Sequence, residues 1–152
     1  MLSLRSDGSG VNGTSERASK AAWSADGRSV LTTQLDEHWV PSALLRLDVD
    51  LDGGGSRTVW SPPAIEGLGI GSVEDWSRDG ARVLCVEVFP DHGLRVLDLG
   101  TGESKNLGDF EESSGRWLPD GRRALVRVSS QLFLVDVETL EQKLLLEKGS
   151  NT

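Results

Sequence analysis

The sequence contains a single cysteine, Cys85, so no disulfide bond can form within the chain. Cys85 lies in the apolar run 83–86, which predicts a buried thiol that packs as a small apolar side chain. A catalytic thiol would need a base close to it in space, and this run supplies none. We therefore expect Cys85 to belong to the core rather than to a reactive site.

Long apolar segments are also missing. No run approaches the length of a membrane-spanning helix, so we expect no insertion into a membrane. Residues 1–8 lack an apolar stretch of signal-peptide length, which predicts a cytoplasmic protein if the chain is complete. If the chain is a piece of a longer protein, this absence leaves the compartment open.

Positive charge is in short supply. The chain has 16 Lys and Arg against 24 Asp and Glu, which gives a net charge of −8. Such a surface repels phosphate backbones, so nucleic acid is not expected as a partner. The excess of carboxylates serves solubility in the plainer interpretation, and it forms an acidic face for a basic peptide or a cation in the alternative one.

Catalytic and cofactor motifs are absent too. No Gly-x-Ser-x-Gly segment stands between a strand and a helix, as the nucleophile elbow of a hydrolase would. The glycine-rich segment 67–71 superficially resembles a nucleotide loop, but no helix pattern follows it and its spacing is incomplete. We interpret it as a flexible connection, and we assign no catalytic residue and no cofactor.

What the sequence does contain is a repeat. A segment that starts with Trp and ends with Asp-Gly occurs at 23–27, 76–80 and 117–121. After each copy come an apolar run, a second apolar run that ends in Asp, a polar turn and a fourth short run. Short runs of Val, Leu and Thr between Gly, Asp and Pro are typical of strands. Each copy therefore predicts a unit of four short strands, the first of which leads into the tryptophan.

The predicted strands follow the repeat closely. The second, third and fourth strands are predicted at 29–35, 44–48 and 56–60, at 82–89, 94–98 and 104–107, and at 123–128, 132–136 and 142–146. Region 135–148 comes nearest to a helical pattern, but it aligns with the two earlier units and is assigned as strand, turn and strand.

The repeated residues have structural explanations. Gly and Asp tolerate the positive φ of a tight hairpin turn, and the Asp carboxylate can accept hydrogen bonds from backbone amides two residues further on. The three Asp residues are thus expected to form turns rather than to act as acids or bases. The three Trp residues are expected to pack between adjacent sheets, where one large aromatic side chain buries much apolar area.

Four-stranded units at intervals of about 40 residues are typical of a β-propeller. The three tryptophans are 53 and 41 residues apart, and a long connection accounts for most of the excess in the first interval. The N-terminal segment resembles the third and fourth strands of a preceding unit. We divide the chain into a partial blade at 1–17, blades at 18–60, 72–108 and 109–146, a connection at 61–71 and a tail at 147–152.

The motif resembles the Trp-Ser-Pro-Asp-Gly repeat of TolB-like β-propellers, also called WD-like repeats. The second unit, 76–108, matches best; the third keeps Pro-Asp-Gly at 119–121 but has Leu118 where Ser is usual, and the first has Ala25 where Pro is usual. Together the units cover most of 21–146. The resemblance implies an all-β fold of antiparallel four-stranded blades. It leaves activity open, because such repeats occur in periplasmic scaffold proteins and in the propeller domains of prolyl-oligopeptidase-like enzymes. If the chain is cut from a TolB-like parent, the resemblance implies a periplasmic location.

Three blades and a partial one do not close a ring, since propellers use four to eight blades. The open faces at both ends invite association. The chain is then a fragment of a larger propeller, or two chains each supply half a ring, or another polypeptide supplies further blades. We expect an incomplete ring that self-associates into a homo-oligomer through its open blade faces.

Candidate binding residues gather on one rim of the propeller. Strands alternate in direction, so the loops between second and third strands lie at the same end as the connections between blades. Both histidines fall there, and with nearby carboxylates they suit a transition metal, although their separation of 54 residues gives no support. Trp39 lies outside the repeat and is either a loop side chain folded over the rim or an aromatic contact for a partner. The predicted partner-binding rim comprises Asp36, Glu37, His38, Trp39, Glu66, Asp91, His92, Phe110 and Glu111.

The sequence therefore favours a non-catalytic scaffold that binds a protein or peptide, with a basic one favoured by charge. The alternative is the propeller module of a larger enzyme, such as a prolyl-oligopeptidase-like hydrolase. A reading frame that continues into a Gly-x-Ser-x-Gly segment and an α/β domain would favour the enzyme. A structural fragment with no activity of its own is the third interpretation.

Overall fold

The structure is a computed structural model that describes residues 2–4, 11–13, 17–38, 40–48, 56–60, 69–89, 92–108 and 113–147. Within these ranges the chain forms fourteen β-strands and no helix. The strands are β1 (Leu2–Leu4), β2 (Val11–Gly13), β3 (Arg17–Trp23), β4 (Ser29–Leu35), β5 (Pro41–Asp48), β6 (Ser56–Trp60), β7 (Gly69–Trp76), β8 (Arg82–Phe89), β9 (Gly93–Asp98), β10 (Ser104–Gly108), β11 (Ser113–Trp117), β12 (Arg123–Val128), β13 (Gln131–Asp136) and β14 (Gln142–Glu147). The part of the chain that the structure describes includes no helix with the length and apolarity of a membrane span.

Strands that are consecutive in the chain are neighbours in space. Three sheets of four antiparallel strands form blade 1 (β3 to β6), blade 2 (β7 to β10) and blade 3 (β11 to β14), and β1 pairs with β2. The predicted all-β, four-stranded antiparallel architecture is confirmed. No described sheet closes on itself, so the chain is an incomplete propeller.

Strand β7 begins earlier than the sequence indicated. Gly69 pairs with Phe89, and Ile70 with Glu87, so 69–71 are sheet residues rather than part of a flexible connection. The glycine at 71 has a packing reason, because a Cβ there would lie 2.4 Å from a methyl carbon of Val88. The expectation of a connection up to residue 71 was therefore wrong. At the other end of the chain, β14 extends through Glu147, one residue into the predicted tail.

The turn after each tryptophan is built by its aspartate. In blade 2, Asp79 Oδ1 accepts hydrogen bonds from Ser77 Oγ at 2.6 Å and from Ala81 N at 3.0 Å. Gly80 follows with a φ of +74°, in the left-handed region that glycine tolerates. Blade 1 repeats this arrangement around Asp26. The prediction that these carboxylates form turns is confirmed.

The turn after Trp117 in blade 3 forms although Leu118 replaces the serine of the other two turns. Leu118 has no hydroxyl to offer, and Asp120 Oδ1 instead accepts from both Arg122 N and Arg123 N at 3.0 Å. Arg123 Nε adds a bond of 2.6 Å to Asp120 Oδ2. One carboxylate thus replaces the serine bond, which explains why the motif survives this substitution.

Each blade presents equivalent residues to the blade that follows it. The first pair of the second and third strands is Arg82 with Asp98 in blade 2 and Arg123 with Asp136 in blade 3. Two residues further along, alternation brings the next pair to the same side of the sheet. We call this side the receiving face. It consists of Leu31, Leu44 and Arg46 in blade 1, of Leu84, Leu94 and Val96 in blade 2, and of Leu125, Leu132 and Leu134 in blade 3.

The first apolar core lies between blades 1 and 2. Leu31 and Leu44 of the receiving face of blade 1 are fully buried in it. They meet side chains on the opposite side of blade 2, which are Val73, Trp76, Val83, Cys85 and Leu97. Cys85 is therefore a core residue, as predicted.

The second core lies between blades 2 and 3. Leu84 and Leu94 of blade 2 are fully buried against blade 3. At Gly115 in β11, an added Cβ would lie 3.1 Å from Leu94 and 3.2 Å from Leu84. A glycine at this position lets the first strand of blade 3 approach the receiving face closely. The blade 3 members of this core are Ala124, Val126, Val135 and Val137, with Trp117 and Phe133 partly buried against them.

The tryptophans of blades 2 and 3 dock on the preceding blade, and each lies beneath an arginine. The guanidinium carbon of Arg46 lies 5.6 Å from the ring centre of Trp76, and that of Arg82 lies 5.2 Å from the ring of Trp117. Trp76 is only 8% exposed. Trp23, at the same position in blade 1, is 60% exposed. The expectation that all three tryptophans pack between sheets was wrong for Trp23, because the described strands that precede blade 1, β1 and β2, form only a two-stranded sheet and the ring stays exposed.

Polar contacts reinforce the joint between blades 2 and 3. Trp117 N donates to Asp75 Oδ2 at 2.7 Å, and Lys105 Nζ donates to Glu138 O at 2.7 Å. Arg82 donates to the carbonyl of Gly121 and pairs with Glu138 at 2.8 Å. Blade 3 is thus held by its turns as well as by its core.

Candidate functional site

The rim that carries the predicted binding residues is shaped by the loops between second and third strands. These loops have different lengths in the three blades. Blade 1 has a turn from Asp36 to Val40, blade 2 has a loop that ends at His92, and blade 3 has only the two residues Ser129 and Ser130. Ser129 adopts a φ of +52°, which allows the chain to reverse in so short a turn. The connection between the second and third strands is therefore longest in blade 1, with five residues, and shortest in blade 3, with two.

Asp36 orders the turn in blade 1. Its Oδ1 atom accepts hydrogen bonds from His38 N at 2.8 Å and from Val40 N at 2.9 Å. Its own backbone amide donates to the carbonyl of Val40 at 2.8 Å. These three bonds close a compact turn, in which a side chain mimics a backbone turn.

Three side chains of this turn, those of Glu37, His38 and Val40, are exposed to solvent. The side chain of Glu37 is 85% exposed and that of His38 is 75% exposed, with 3.5 Å between Glu37 Oε1 and His38 Nε2. Val40 is also exposed. The exposed side chains described in this turn are thus a carboxylate, an imidazole and an apolar group, on a backbone that Asp36 holds in place.

The structure brings together only part of the predicted site. Asp36, Glu37 and His38 share the turn of blade 1, and His92 is exposed where the loop of blade 2 meets β9. The other predicted rim residues lie outside the described residues, and they are Trp39, Glu66, Asp91, Phe110 and Glu111.

The described residues offer no ready metal site. Among them, no three His, Cys, Asp or Glu side chains converge closely enough to hold a metal ion. His38 and His92 belong to loops of different blades, and Asp91, a carboxylate next to His92, is not described. A metal at His38 and His92 stays a prediction that zinc titration of the chain can check.

The thiol and the turn carboxylates, which could take part in catalysis, have structural roles in this fold. Burial raises the pKa of the Cys85 thiol to about 12, so the thiolate that a nucleophile requires does not form near neutral pH. The Ser77 hydroxyl, followed by the Ala81 amide, holds the pKa of Asp79 below its usual value. The amides of Arg123 and Arg122 lower the pKa of Asp120 to about 2. These carboxylates stay ionised as hydrogen-bond acceptors, which is the opposite of what a general acid needs.

Two buried carboxylates were missed by the sequence analysis. Glu87 is almost fully buried in β8 and pairs with Arg95 on β9, with 2.5 Å between Oε2 and Nη1. Glu74 is equally buried in β7, where Oε1 accepts from Lys20 Nζ of blade 1 and from Ser72 Oγ, both at 2.9 Å. In β8 the signal was present as a single acidic residue within an apolar run, whereas in β7 Glu74 stands next to a second acidic residue, Asp75, and the burial of Glu74 is not evident from the sequence. Both carboxylates are paired, as buried charges must be, and we assign them a structural role.

Comparison with solved structures places this architecture among known proteins. No protein-family model matches the sequence, and no curated protein matches it. A crystal structure of TolB from Acinetobacter baumannii superimposes on 95% of the chain with a TM-score of 0.67, at 20% sequence identity. The chain has a TolB-like β-propeller fold.

The same propeller fold occurs in enzymes. Oligogalacturonate lyase from Vibrio parahaemolyticus matches 95% of the chain at a TM-score of 0.56 and 16% identity. Dipeptidyl peptidase 4 from Porphyromonas gingivalis matches 89% at a TM-score of 0.57 and 14% identity. At these identities the similarity establishes the fold. The propeller chain spans 37% of the TolB structure, 46% of the lyase and 20% of the peptidase.

Proposed function

We propose that this propeller is a non-catalytic module that binds a basic protein or peptide through the rim of blades 1 and 2, and that it self-associates to complete its ring. The observation that carries the binding proposal is the turn of blade 1. Asp36 fixes its backbone, while Glu37, His38 and Val40 project into solvent.

The composition of this turn suits a protein contact. A preformed turn loses little conformational entropy when a partner binds, which favours affinity. Val40 supplies apolar area for the centre of a contact, and Glu37 supplies a charge for its edge. The net charge of −8 attracts a basic partner over a longer range and raises the rate of encounter.

The non-catalytic part of the proposal rests on how the reactive side chains are used. Cys85 is buried as a thiol, and the turn aspartates accept backbone and hydroxyl hydrogen bonds. Glu74 and Glu87 are paired with Lys20 and Arg95. Each of these groups therefore has a structural partner in place of a substrate.

A second candidate is the propeller module of a larger hydrolase. It is favoured by the similarity to a dipeptidyl peptidase, of which the chain spans 20%. If the reading frame continues into a Gly-x-Ser-x-Gly segment and an α/β domain, the module belongs to an enzyme and the rim would face that domain.

A labelled octalysine peptide tests the binding proposal. We expect fluorescence anisotropy to report binding that weakens as the ionic strength rises. Glu37→Gln should weaken it by about threefold, the effect of losing one exposed ion pair. The matched control is Glu103→Gln in the turn between β9 and β10, on the opposite rim, which changes the net charge equally.

The two variants separate a site from a general charge effect. A loss for Glu37→Gln that exceeds the loss for Glu103→Gln supports the rim. Equal losses, or no binding by the unaltered chain, would refute a basic partner at this turn.

A further inference from the structure

Blade 3 offers an uncovered copy of a surface that is covered in the rest of the propeller. Its receiving face borders an open groove of about 450 Å³. The residues that line the groove are Arg123, Leu134, Asp136, Glu141, Gln142 and Lys143. The equivalent surfaces of blades 1 and 2 are occupied by the tryptophan of the next blade, at Trp76 and Trp117.

The groove residues match those that hold the tryptophan turn of blade 3. At the start of the second strand, Arg123 lies opposite Asp136 in the strand register, and Arg82 lies opposite Asp98 in the same way. Arg82 covers the ring of Trp117 and donates to the carbonyl of Gly121, so it binds both the tryptophan and its turn.

The lysines of the fourth strands match as well. Lys143 lies opposite Leu134 in the strand register, just as Lys105 lies opposite Val96. Lys105 Nζ donates to the carbonyls of Val137 and Glu138 in blade 3. The groove therefore repeats both the apolar floor and the cationic donors of a joint between blades.

Exposed apolar area in blade 3 marks the same surface. Leu145 lies two residues after Lys143, at the position that Leu107 holds in β10. Leu107 is 2% exposed in the core between blades 2 and 3, whereas Leu145 is 47% exposed. Burying such a side chain removes apolar area from water, so a partner that covers this face gains free energy.

The chain carries one ligand that fits this groove, at its other end. Trp23 is the only described tryptophan of the motif that no blade covers. Its turn has the backbone of the docked turns, with Gly27 at a φ of +69° and Gly121 at +65°. Trp23 and Gly27 thus offer an aromatic ring and a turn of the same geometry as Trp117 and Gly121.

We propose that the receiving face of blade 3 docks the Trp23 turn of a second copy of this chain. The contact is head to tail, because it joins two different surfaces of the same molecule, and such contacts close into rings when the rotation allows. Arg123 covers the ring of Trp23 in this contact, and the carbonyl of Gly27 accepts from its guanidinium. The inference rests on the self-association in the proposed function and assigns the surfaces that produce it.

Light scattering over a range of concentrations tests the contact, with two variants that each remove one surface. Trp23→Ser removes the ligand, and Leu134→Glu places a carboxylate in the groove. Both residues are at least partly exposed, so we expect both variants to fold. The unaltered chain should exceed the mass of 16.4 kDa of one copy, and each variant alone should stay at that mass.

Mixing the variants gives the decisive result. Trp23→Ser keeps the groove and Leu134→Glu keeps the ligand, so the mixture can form one contact and should reach the mass of two copies. A mixture that stays at the mass of one copy would overturn the proposal, as would variants that associate like the unaltered chain. An unaltered chain that stays monomeric while binding a peptide with the sequence of residues 20–30 would also overturn self-docking. The octalysine assay measures binding at the Glu37 turn, which lies on the other rim from the Trp23 turn. Failure of the head-to-tail contact is therefore distinguishable from failure of rim binding.

Discussion

The receiving faces of blades 2 and 3 have the same design and opposite surroundings. In blade 2, Leu84 and Val96 form a pair that is buried beneath blade 3. In blade 3, Leu125 and Leu134 form the same pair, and both remain partly exposed. An arginine starts the second strand in both blades, but only that of blade 2 has a tryptophan beneath it.

This difference shows that much of the stability of a propeller comes from contacts between blades. The backbone hydrogen bonds of a blade form within that blade, whereas the apolar side chains of its receiving face are buried only when the next blade packs on them. The tryptophan is the largest side chain that one blade gives to another. The contribution of a repeated residue therefore depends on its neighbour more than on its own sequence.

The tryptophans allow the sharpest break in this comparison. Trp76→Ala empties a site between blades 1 and 2, and we expect the free energy of unfolding to fall by about 3–5 kcal/mol. Trp23→Ala removes an exposed side chain and should change it by less than about 1 kcal/mol. Urea unfolding measures both, at a concentration where light scattering gives the mass of one copy. Equal losses would mean that Trp23 is covered or that Trp76 is not.

The paired leucines give the next largest contrast. Leu84→Ala creates a cavity beneath blade 3 and should cost about 2–5 kcal/mol. Leu125→Ala, at the matching position of blade 3, should cost about 1 kcal/mol because its surroundings are already open to water. The denaturant midpoints of the two variants provide the measurement. A loss for Leu125→Ala as large as that for Leu84→Ala would show that the face of blade 3 is covered.

The polar contacts between blades 2 and 3 should contribute unequally to the free energy of unfolding. Asp75→Ala leaves the amide of Trp117 without its acceptor, and we expect a loss of about 1–3 kcal/mol. Glu138→Ala breaks an ion pair with Arg82 whose glutamate is mostly exposed, so its loss should be below about 1 kcal/mol. Chemical unfolding of both variants ranks them, and a larger loss for Glu138→Ala would contradict the arrangement.

Acid should affect the covered and uncovered turns alike, since their aspartates are held locally. The pKa values of Asp26 and Asp79 are lowered by serine hydroxyls first, and that of Asp120 by backbone amides. A lowered pKa in the folded chain gives stability that is present above the unfolded value and lost as the pH falls toward the folded one. For Asp120 this loss spans about pH 4 to pH 2.

Melting temperatures between pH 5 and pH 2 check this expectation. Asp120→Asn keeps an oxygen acceptor but does not titrate, so its melting temperature should fall less steeply with acid than that of the unaltered chain. Asp26→Asn should behave in the same way although its turn is uncovered. Unchanged slopes in both variants would show that these carboxylates are not held as the geometry indicates.

Much of the fold could be predicted from the sequence because its signals are local. The Asp-Gly turns after Trp23, Trp76 and Trp117 define the repeat, and strands such as Ser29–Leu35 and Arg123–Val128 have the predicted bounds. Turn chemistry and alternation act within a few residues, so they are legible without a structure.

The remainder depends on contacts between blades. Trp23 and Trp76 both begin a Trp-Ser-x-Asp-Gly motif, but only Trp76 is buried against a preceding four-stranded blade. The ion pair of Glu87 with Arg95 joins two strands that the sequence analysis predicted as apolar runs, and nothing in either run shows that the two charges lie opposite each other. Asp36, Glu37 and His38 were predicted as rim residues, and the turn that they share is held by hydrogen bonds that the sequence does not reveal.

Thiol labelling of matched cysteine variants tests most directly whether the two receiving faces differ. Cys85 serves as a silent background, because it is buried and its pKa is raised to about 12. In dilute native protein, Leu134→Cys should react at the rate of an exposed thiol, whereas Val96→Cys should react only as fast as the chain unfolds. A Val96→Cys thiol that reacts as rapidly as the Leu134→Cys thiol would contradict a joint closed between blades 2 and 3 and open beyond blade 3.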